Sequence, residues 1–175
     1  MSSARSRSSH PDAVDVIIDQ WKRELPELAS ENMALIGRLR RCSILLAPRL
    51  DEVIAAYDLS NGAFDVLATL RRAGAPYILT PTELFASLMV TSGTMTTRLQ
   101  NVQKRGWVER IPNPDDARSM LVKLTGAGRE LVEKVVFEHV ENERRILEKL
   151  PAETRRQLDA GLAELMRVLE DAKKS

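Results

Sequence analysis

The fold is decided by the stretch Leu79–Leu124, LTPTELFASLMVTSGTMTTRLQNVQKRGWVERIPNPDDARSMLVKL. Thr80 has the features of a helix N-cap, because Pro81 follows at the first helical position and Glu83 lies three residues after the cap. A threonine and a glutamate at this spacing bind the free N–H groups of a helix start, and proline is favoured at that position. The stretch therefore predicts a short helix immediately after Thr80.

A second helix and a hairpin follow. The apolar pattern breaks near Val90, and a second cap at position 91 or 92 predicts a new helix. Two short strands are expected at Trp107–Ile111 and Met120–Leu124, on either side of the turn-forming residues Asn113–Asp116. Two helices joined by a tight turn and followed by a charged hairpin are typical of a winged helix-turn-helix. We therefore expect a mainly α protein with a small β wing and double-stranded DNA as its partner.

The positive charge of the chain is concentrated in this region. The 175 residues carry a formal net charge of +1, yet seven basic and three acidic residues lie between Arg98 and Arg129. A local excess of positive charge suits phosphate contacts. The rest of the chain is nearly balanced, which argues against a general polyanion binder.

Other classes of protein find little support. No apolar run approaches the ~20 residues that span a bilayer. A single cysteine, Cys42, excludes an intrachain disulfide framework and favours a cytoplasmic location. The sequence contains no nucleophile elbow, P-loop, dinucleotide-binding or metal-spaced motif. His10 precedes the first helix, and His139 lies among glutamates on a helix, where we expect it to be solvated. We expect neither an enzyme nor a bound metal or cofactor.

Apolar stripes outside the winged region predict a dimer. Val14 and Ile18 recur at helical spacing near one end of the chain, and Leu158 and Leu162 do so near the other. A small winged domain offers these stripes no partner, so we expect them to pair with a second subunit; a helical cap within one chain is the alternative. The expected organisation is a disordered tail at 1–11, N-terminal dimerisation helices at 12–57, the DNA-binding domain at 58–125 and C-terminal dimerisation helices at 126–172.

The second helix of the motif separates an apolar from a polar face. At about 100° per residue, Met95, Leu99 and Val102 fall together and are expected in the core. Hydroxyls and amides opposite them suit base edges and phosphates, although a solvated helix face is the plainer interpretation. Arg118 in the wing suits a narrow minor groove, with Asp116 expected to pair with its guanidinium. The expected DNA contacts are Ser92, Thr94, Thr96, Thr97, Arg98, Gln100, Asn101, Lys104, Asp116 and Arg118.

Arg98 does not fit this division and needs a partner. It lies about 60° from Met95, at the edge of the buried face, where an unpaired guanidinium is costly. The helix of residues 60–72 supplies Asp65 and Arg72 on a common face, about 10 Å apart along the helix axis. That separation is too large for a salt bridge. A small polar molecule fits between them, with Asp65 accepting N–H donors and Arg72 holding an anionic oxygen or ring.

Two sets of motifs resemble one family. The segment TPTELFASLMVTSGTMTTRLQNVQKRGWVERIPNPDDARSMLVKLTGAGREL and the wing signature DxRS followed by VxLT at residues 116–125 resemble the multiple-antibiotic-resistance regulator (MarR) family of bacterial winged-helix transcription factors. Residues 12–172 are similar to its urate-responsive, PecS-like branch, through DVIIDQWKRELP, MALIGRLRR, FDVLATLRRAGAPYILTPTEL and LMVTSGTMTTRL.

The resemblance implies a ligand site and a regulatory function. The implied urate site consists of Trp21, Asp65, Arg72 and Arg98, of which Trp21 would otherwise pass for a core residue, so part of the pocket falls in residues 12–57. In the implied mechanism Asp65 neutralises Arg98 in the DNA-competent state. Urate or a related anion disturbs this pairing and releases a homodimeric repressor from palindromic operator DNA. Two alternatives stay open: redox sensing through Cys42, and DNA binding without any effector.

Overall fold

A computed structural model describes residues 11–88 and 95–172 of the chain. The chain forms two compact units, one that extends to Arg49 and one that begins at Leu50. The helices are α1 (Ala13–Glu24), α2 (Glu31–Ala55), α3 (Asn61–Arg72), α4 (Pro81–Ala86), α5 (Met95–Lys104), α6 (Gly126–Leu147) and α7 (Ala152–Asp171). The strands are β1 (Ile78–Leu79), β2 (Val108–Asn113) and β3 (Asp116–Leu124). In the described part of the chain, none of the helices has the length and apolar character needed to cross a membrane.

The first helix begins where the sequence predicts. The Asp12 carboxylate accepts hydrogen bonds from the backbone N–H groups of Val14 and Asp15, and the Asp15 side chain accepts one from the Asp12 N–H in return. This capping box satisfies free N–H groups of the first turn. Arg38 of α2 places its Nε 2.7 Å from Asp12 Oδ2 and its Nη2 2.6 Å from Asp15 Oδ1. The hydrogen bond from Arg38 is the main reason that the pKa of Asp12 is lowered to about 2.

The core of the second unit forms around α3. Ser60 caps this helix by accepting a hydrogen bond from the Ala63 N–H. Val66, Leu67 and Leu70 are fully buried, and each buried side chain of this kind contributes ~1.5–3 kcal/mol. They belong to one apolar cluster that also contains residues of α4, α5, β3 and α6: Leu84, Leu99, Val102, Val122, Val132 and Val135.

The helix-turn-helix also begins as predicted. The Thr80 hydroxyl accepts a hydrogen bond from the Glu83 N–H, the Glu83 carboxylate accepts one from the Thr80 N–H, and Pro81 is the first helical residue. The predicted break near Val90 and the second cap, Thr91 or Ser92, lie outside the described residues. The chain is described again from Met95, the first residue of α5.

The wing contains one more strand than the sequence predicts. Strand β3 lies between β1 and β2 and is antiparallel to both, with Ile78 opposite Lys123 and Val108 opposite Leu124. The two expected strands are present and longer than expected. Strand β1 has only two residues, too few to leave an alternating pattern in the sequence.

The start of α6 lies against the beginning of β2. Thr125 caps α6 by accepting a hydrogen bond from the Gly128 N–H, and its hydroxyl lies 3.0 Å from the Trp107 carbonyl oxygen. Gly128 is buried there, and a Cβ added to it would lie 2.1 Å from that same oxygen. Glycine at position 128 therefore permits the close approach of α6 to the wing.

We expect Gly128→Ala to lower the free energy of unfolding by about 1–3 kcal/mol, because the added methyl group displaces backbone rather than a flexible side chain. Urea denaturation of the purified variant measures this change. The control is Gly126→Ala in the same helix, where an added Cβ meets no atom within 4 Å. Its stability should equal or exceed that of the wild type, and equal losses in the two variants would contradict the prediction.

Candidate nucleic-acid interface and effector site

The two faces of α5 are as the helical spacing predicts. Leu99 is 2% exposed and Val102 is fully buried. The polar residues Thr97, Gln100 and Asn101, together with Lys104, are exposed on the remaining surface of the helix. Of the other expected contacts, Thr96 is in α5, and Ser92 and Thr94 lie outside the described residues. Gln103, which the sequence analysis did not include, is also exposed next to this group.

The tip of the wing is organised by side chains that bind backbone groups. The Asn113 carboxamide oxygen accepts a hydrogen bond from the Asp115 N–H at 3.0 Å. The Asp116 carboxylate accepts one from the Arg118 N–H at 3.0 Å. The expected pairing of Asp116 with the Arg118 guanidinium is wrong: the carboxylate holds the backbone of Arg118, and no ion pair joins the two side chains in this described turn. The exposed guanidinium of Arg118 is left available to another partner.

A salt bridge joins the residue after α5 to the turn before α3. Arg105 Nη1 lies 2.5 Å from Asp58 Oδ2, and the Arg105 guanidinium lies over the Trp107 ring at 5.0 Å from its centroid. The hydrogen bond from Arg105 is the main reason that the pKa of Asp58 is lowered. Residues from these two segments, among them Ser60, Asn101 and Trp107, line an open groove of about 550 Å³ that contains none of the predicted ligand residues.

Arg98 turns toward α3. A Cβ added to Gly62 would lie 2.7 Å from Arg98 Nε, so the absence of a side chain at Gly62 makes room for the guanidinium. Arg98 Nη1 and Asp65 Oδ2 are both buried, and neither has a hydrogen-bond partner. The expected ion pair between Asp65 and Arg98 is therefore absent, although both residues are among those described. Asp65 of α3 and Arg98, which lies against Gly62 of α3, thus have no ion pair between them.

Arg72 has a partner that the sequence analysis missed. Its Nη2 donates a hydrogen bond to the backbone carbonyl of Ser87, the C-cap residue of α4. A guanidinium is favourable there because the last carbonyls of a helix lack intrahelical partners and carry partial negative charge. Arg72 thus joins the end of α3 to the end of α4. The bond crosses 15 residues of sequence, and no local pattern indicates it.

The remaining candidate residues belong to other helices. Trp21 is 40% exposed on α1, in the first unit, whereas Asp65, Arg72 and Arg98 belong to the second. Cys42 is exposed on α2. The expectation that His139 is solvated is wrong, because its side chain is only 17% exposed, lies 3.2 Å from Glu143 through Nε2 and contacts the Phe64 ring.

Comparisons with known proteins decide the family. Residues 57–119 match the model of the MarR family. PecS of Dickeya dadantii (strain 3937), a helix-turn-helix-type transcriptional regulator, is 44% identical over 149 residues, which cover 85% of this chain and 90% of PecS. The chain belongs to the MarR family. Because its relatives are transcriptional regulators, this MarR-family chain is a regulator and not an enzyme, as the sequence predicts.

Solved structures agree with this family and confirm the winged-helix fold. A putative MarR-like transcription regulator from Bacillus cereus ATCC 10987 is 27% identical, with a TM-score of 0.72 over 81% of this chain and 99% of that one. A mutant of MarR from E. coli, solved in complex with operator DNA, is 30% identical, with a TM-score of 0.65 over 79% of this chain and 99% of that one.

The link from Arg72 to Ser87 predicts a local effect on α4. In Arg72→Ala, amide hydrogen exchange in residues 81–88 should become roughly five-fold faster, because the helix loses a hydrogen bond worth about 1 kcal/mol. The matched control is Arg71→Ala, since Arg71 binds Glu133 of α6 instead, with 2.7 Å between Nε and Oε1. Unchanged exchange in α4 of the Arg72 variant, or equal acceleration in both variants, would disprove this role.

Proposed function

We propose that this MarR-family regulator is a repressor that binds palindromic operator DNA as a homodimer and is released by urate or a related small anion. The observation that carries the DNA-binding part is the polar surface of α5, exposed opposite buried Leu99 and Val102 and followed by the wing with its exposed Arg118. In helix-turn-helix proteins the second helix enters the major groove. Hydroxyl and amide side chains such as Thr97 and Gln100 suit base edges and phosphates there.

The homodimer is supported by apolar side chains that this chain alone leaves exposed. None of the residues of α7 is buried, and its apolar stripe of Leu158, Leu162, Met166 and Leu169 is between 43% and 56% exposed. Helices normally bury a stripe of this kind against another element. A second copy would cover the stripe of α7, whereas Val14 and Ile18 of the predicted N-terminal stripe are already buried within this chain. Twofold symmetry would place two recognition helices in successive major grooves ~34 Å apart.

The effector proposal is supported by the buried polar atoms between α3 and α5. Arg98 Nη1 is a donor and Asp65 Oδ2 an acceptor, and leaving such atoms without partners costs about 1–3 kcal/mol each. Urate is an anion near neutral pH that has both carbonyl acceptors and N–H donors, so it complements both groups. Because the polar atoms are buried, a bound ligand must move α5 relative to α3. The ligand therefore favours a state in which α5 no longer fits the operator.

The resemblance implies that Asp65 neutralises Arg98 until urate disturbs the pair. Because this ion pair is absent, we propose instead that Asp65 and Arg98 both bind the ligand directly. Urate would supply the missing hydrogen-bond partners of both side chains. The usual coupling of ~1–3 kcal/mol between two binding sites corresponds to a loss of about 5–150-fold in operator affinity. Trp21 is proposed as the aromatic member of the site on the basis of the family resemblance.

We expect Arg118→Ala to weaken operator binding by about 1–3 kcal/mol, the usual scale for a specific contact. The loss should be larger for operators with A/T-rich flanks, because a narrow minor groove strengthens the attraction for arginine. Gel-shift titrations with A/T-rich and G/C-rich flanks measure both effects. Arg110→Ala, which removes the same charge from β2, is the control. If the Arg118 variant loses the same affinity for both kinds of operator, Arg118 contacts only phosphate.

We expect the wild type to be a dimer at micromolar concentration in the absence of DNA, as measured by light scattering. Leu162→Asp should shift it toward monomers and weaken operator binding, because a carboxylate would then face the apolar interface. Arg156→Ala, on the opposite side of α7, should leave the dimer intact. A monomeric wild type would contradict the dimer proposal.

The central experiment is a urate titration followed by tryptophan fluorescence and by operator gel shift. Urate should release the operator, and a purine stacked beside Trp21 should quench its fluorescence. Quenching should persist in Trp107→Phe and disappear in Trp21→Phe. Asp65→Ala should require more urate for release, because the site loses its hydrogen-bond acceptor.

Asp58→Ala is the matched control for the aspartate variant, because Asp58 binds Arg105 and lies outside the proposed site. It should keep the wild-type response to urate. Quenching that survives in Trp21→Phe and vanishes in Trp107→Phe would place the ligand near the wing instead. A wild type that keeps its operator at saturating urate would exclude urate as the effector.

A further inference from the structure

One face of α3 carries a polar residue at a height between Asp65 and Arg72, two of the residues in the ligand site that the family resemblance implies. At about 100° and 1.5 Å per residue, Thr69 lies within about 60° of Asp65 and Arg72 around the helix. Along the axis it is about 6 Å from Asp65 and about 4.5 Å from Arg72. Thr69 therefore lies beside the line that joins Asp65 to Arg72, next to any molecule that bridges them.

The hydroxyl of Thr69 has no hydrogen-bond partner among the described residues. Thr69 is 1% exposed, and its Oγ1 is one of the buried side-chain atoms that make no hydrogen bond in the described residues. A threonine inside a helix ordinarily donates to the carbonyl three or four residues earlier, which here includes the carbonyl of Asp65. That ordinary bond is not made, so the hydroxyl is buried at a cost and does not stabilise α3.

Four buried side-chain atoms of the described residues lack partners on α3 or on residues that contact it: Asp65 Oδ2, Thr69 Oγ1, Arg98 Nη1 and Nδ1 of His139, whose ring contacts Phe64. The first three lie along the face of α3 that Gly62, Asp65 and Thr69 share. Arg98 Nη1 can only donate a hydrogen bond, the ionised Asp65 Oδ2 can only accept one, and the Thr69 hydroxyl can do either. Buried polar groups normally have partners, and clustered exceptions call for a water or ligand that supplies them. The arrangement matches a molecule whose edge carries N–H and C=O groups side by side better than it matches a simple carboxylate.

We infer that Thr69 is a specificity-determining residue of the effector site and that its hydroxyl hydrogen-bonds the bound ligand between Asp65 and Arg72. This inference rests on the proposed function, because it adds a residue to the urate site. The ligand class is a planar anion with adjacent N–H and C=O groups, such as an oxopurine. A hydroxyl that is unsatisfied in the free protein and satisfied in the complex favours ligands able to reach it.

The test compares wild type, Thr69→Val and Thr69→Ser in urate titrations by tryptophan fluorescence, with urea unfolding and operator gel shift in the absence of ligand. Valine keeps the shape and removes the hydroxyl, whereas serine keeps the hydroxyl. Thr69→Val should bind urate about 5- to 10-fold more weakly, the effect of one lost hydrogen bond. Its stability without ligand should be equal to or above that of the wild type, with operator affinity unchanged. Thr69→Ser should restore urate affinity to near the wild-type value.

The outcomes separate this inference from the function on which it rests. If the wild type fails to bind urate, the proposed effector is wrong and the role of Thr69 falls with it. If the wild type binds urate and Thr69→Val binds it equally well, only the role of Thr69 is wrong. A valine variant that is less stable without ligand would show that the hydroxyl is bonded within the fold. Weak binding by both variants would show that Thr69 acts through packing. Either result overturns the inference.

Discussion

The packing of α3 against its neighbours is the constraint on which the second unit depends. This helix contacts α4, α5, α6 and β3, and its residues Val66, Leu67 and Leu70 have no exposed surface. A shift of α3 therefore disturbs both helices of the helix-turn-helix and the central strand of the wing. Because interiors are close-packed, such a shift cannot be absorbed locally. The geometry of the DNA-binding surface is set by a helix that supplies none of its expected DNA contacts.

The same helix has a polar side that reaches both helices of the motif. Arg98 of α5 lies over Gly62, and Arg72 binds the carbonyl that ends α4. In the mechanism that we propose, a ligand bound on this side of α3 acts on both helices at once, because its partner Arg98 belongs to the recognition helix itself. In the proposed mechanism, coupling between effector and operator requires no long pathway, because one short helix contacts both sites. This is a physical reason for placing an effector site behind a recognition helix.

Local sequence signals predicted where helices begin, whereas contacts between residues far apart in the sequence could not be predicted. The cap at Thr80 was readable because capping depends on residues within one turn. Strand β1 was missed because its only partner, β3, lies more than 40 residues later. Arg98 was expected at the edge of the buried face of α5, and it is half-buried there; Asp65 was chosen as its partner from the face that Asp65 shares with Arg72. Their relation was wrong, because residue spacing gives the face of a helix and not the distance between side chains on two helices.

Thr69 and Gly62 are two further residues whose roles could not be predicted from the sequence. A threonine and a glycine within a helix carry little signal of their own, and each gains meaning only through a neighbour that the fold brings near. Burying Asp65, Thr69 and Arg98 without full hydrogen bonding lowers the stability of the free protein. Apolar residues of similar size at these positions would often be neutral or stabilising. In a DNA-binding protein without an effector, nothing offsets this loss of stability. In a ligand-responsive protein, the bound ligand supplies the missing hydrogen bonds and restores the stability. The unsatisfied groups on α3 therefore favour an effector-controlled regulator over one that binds DNA constitutively.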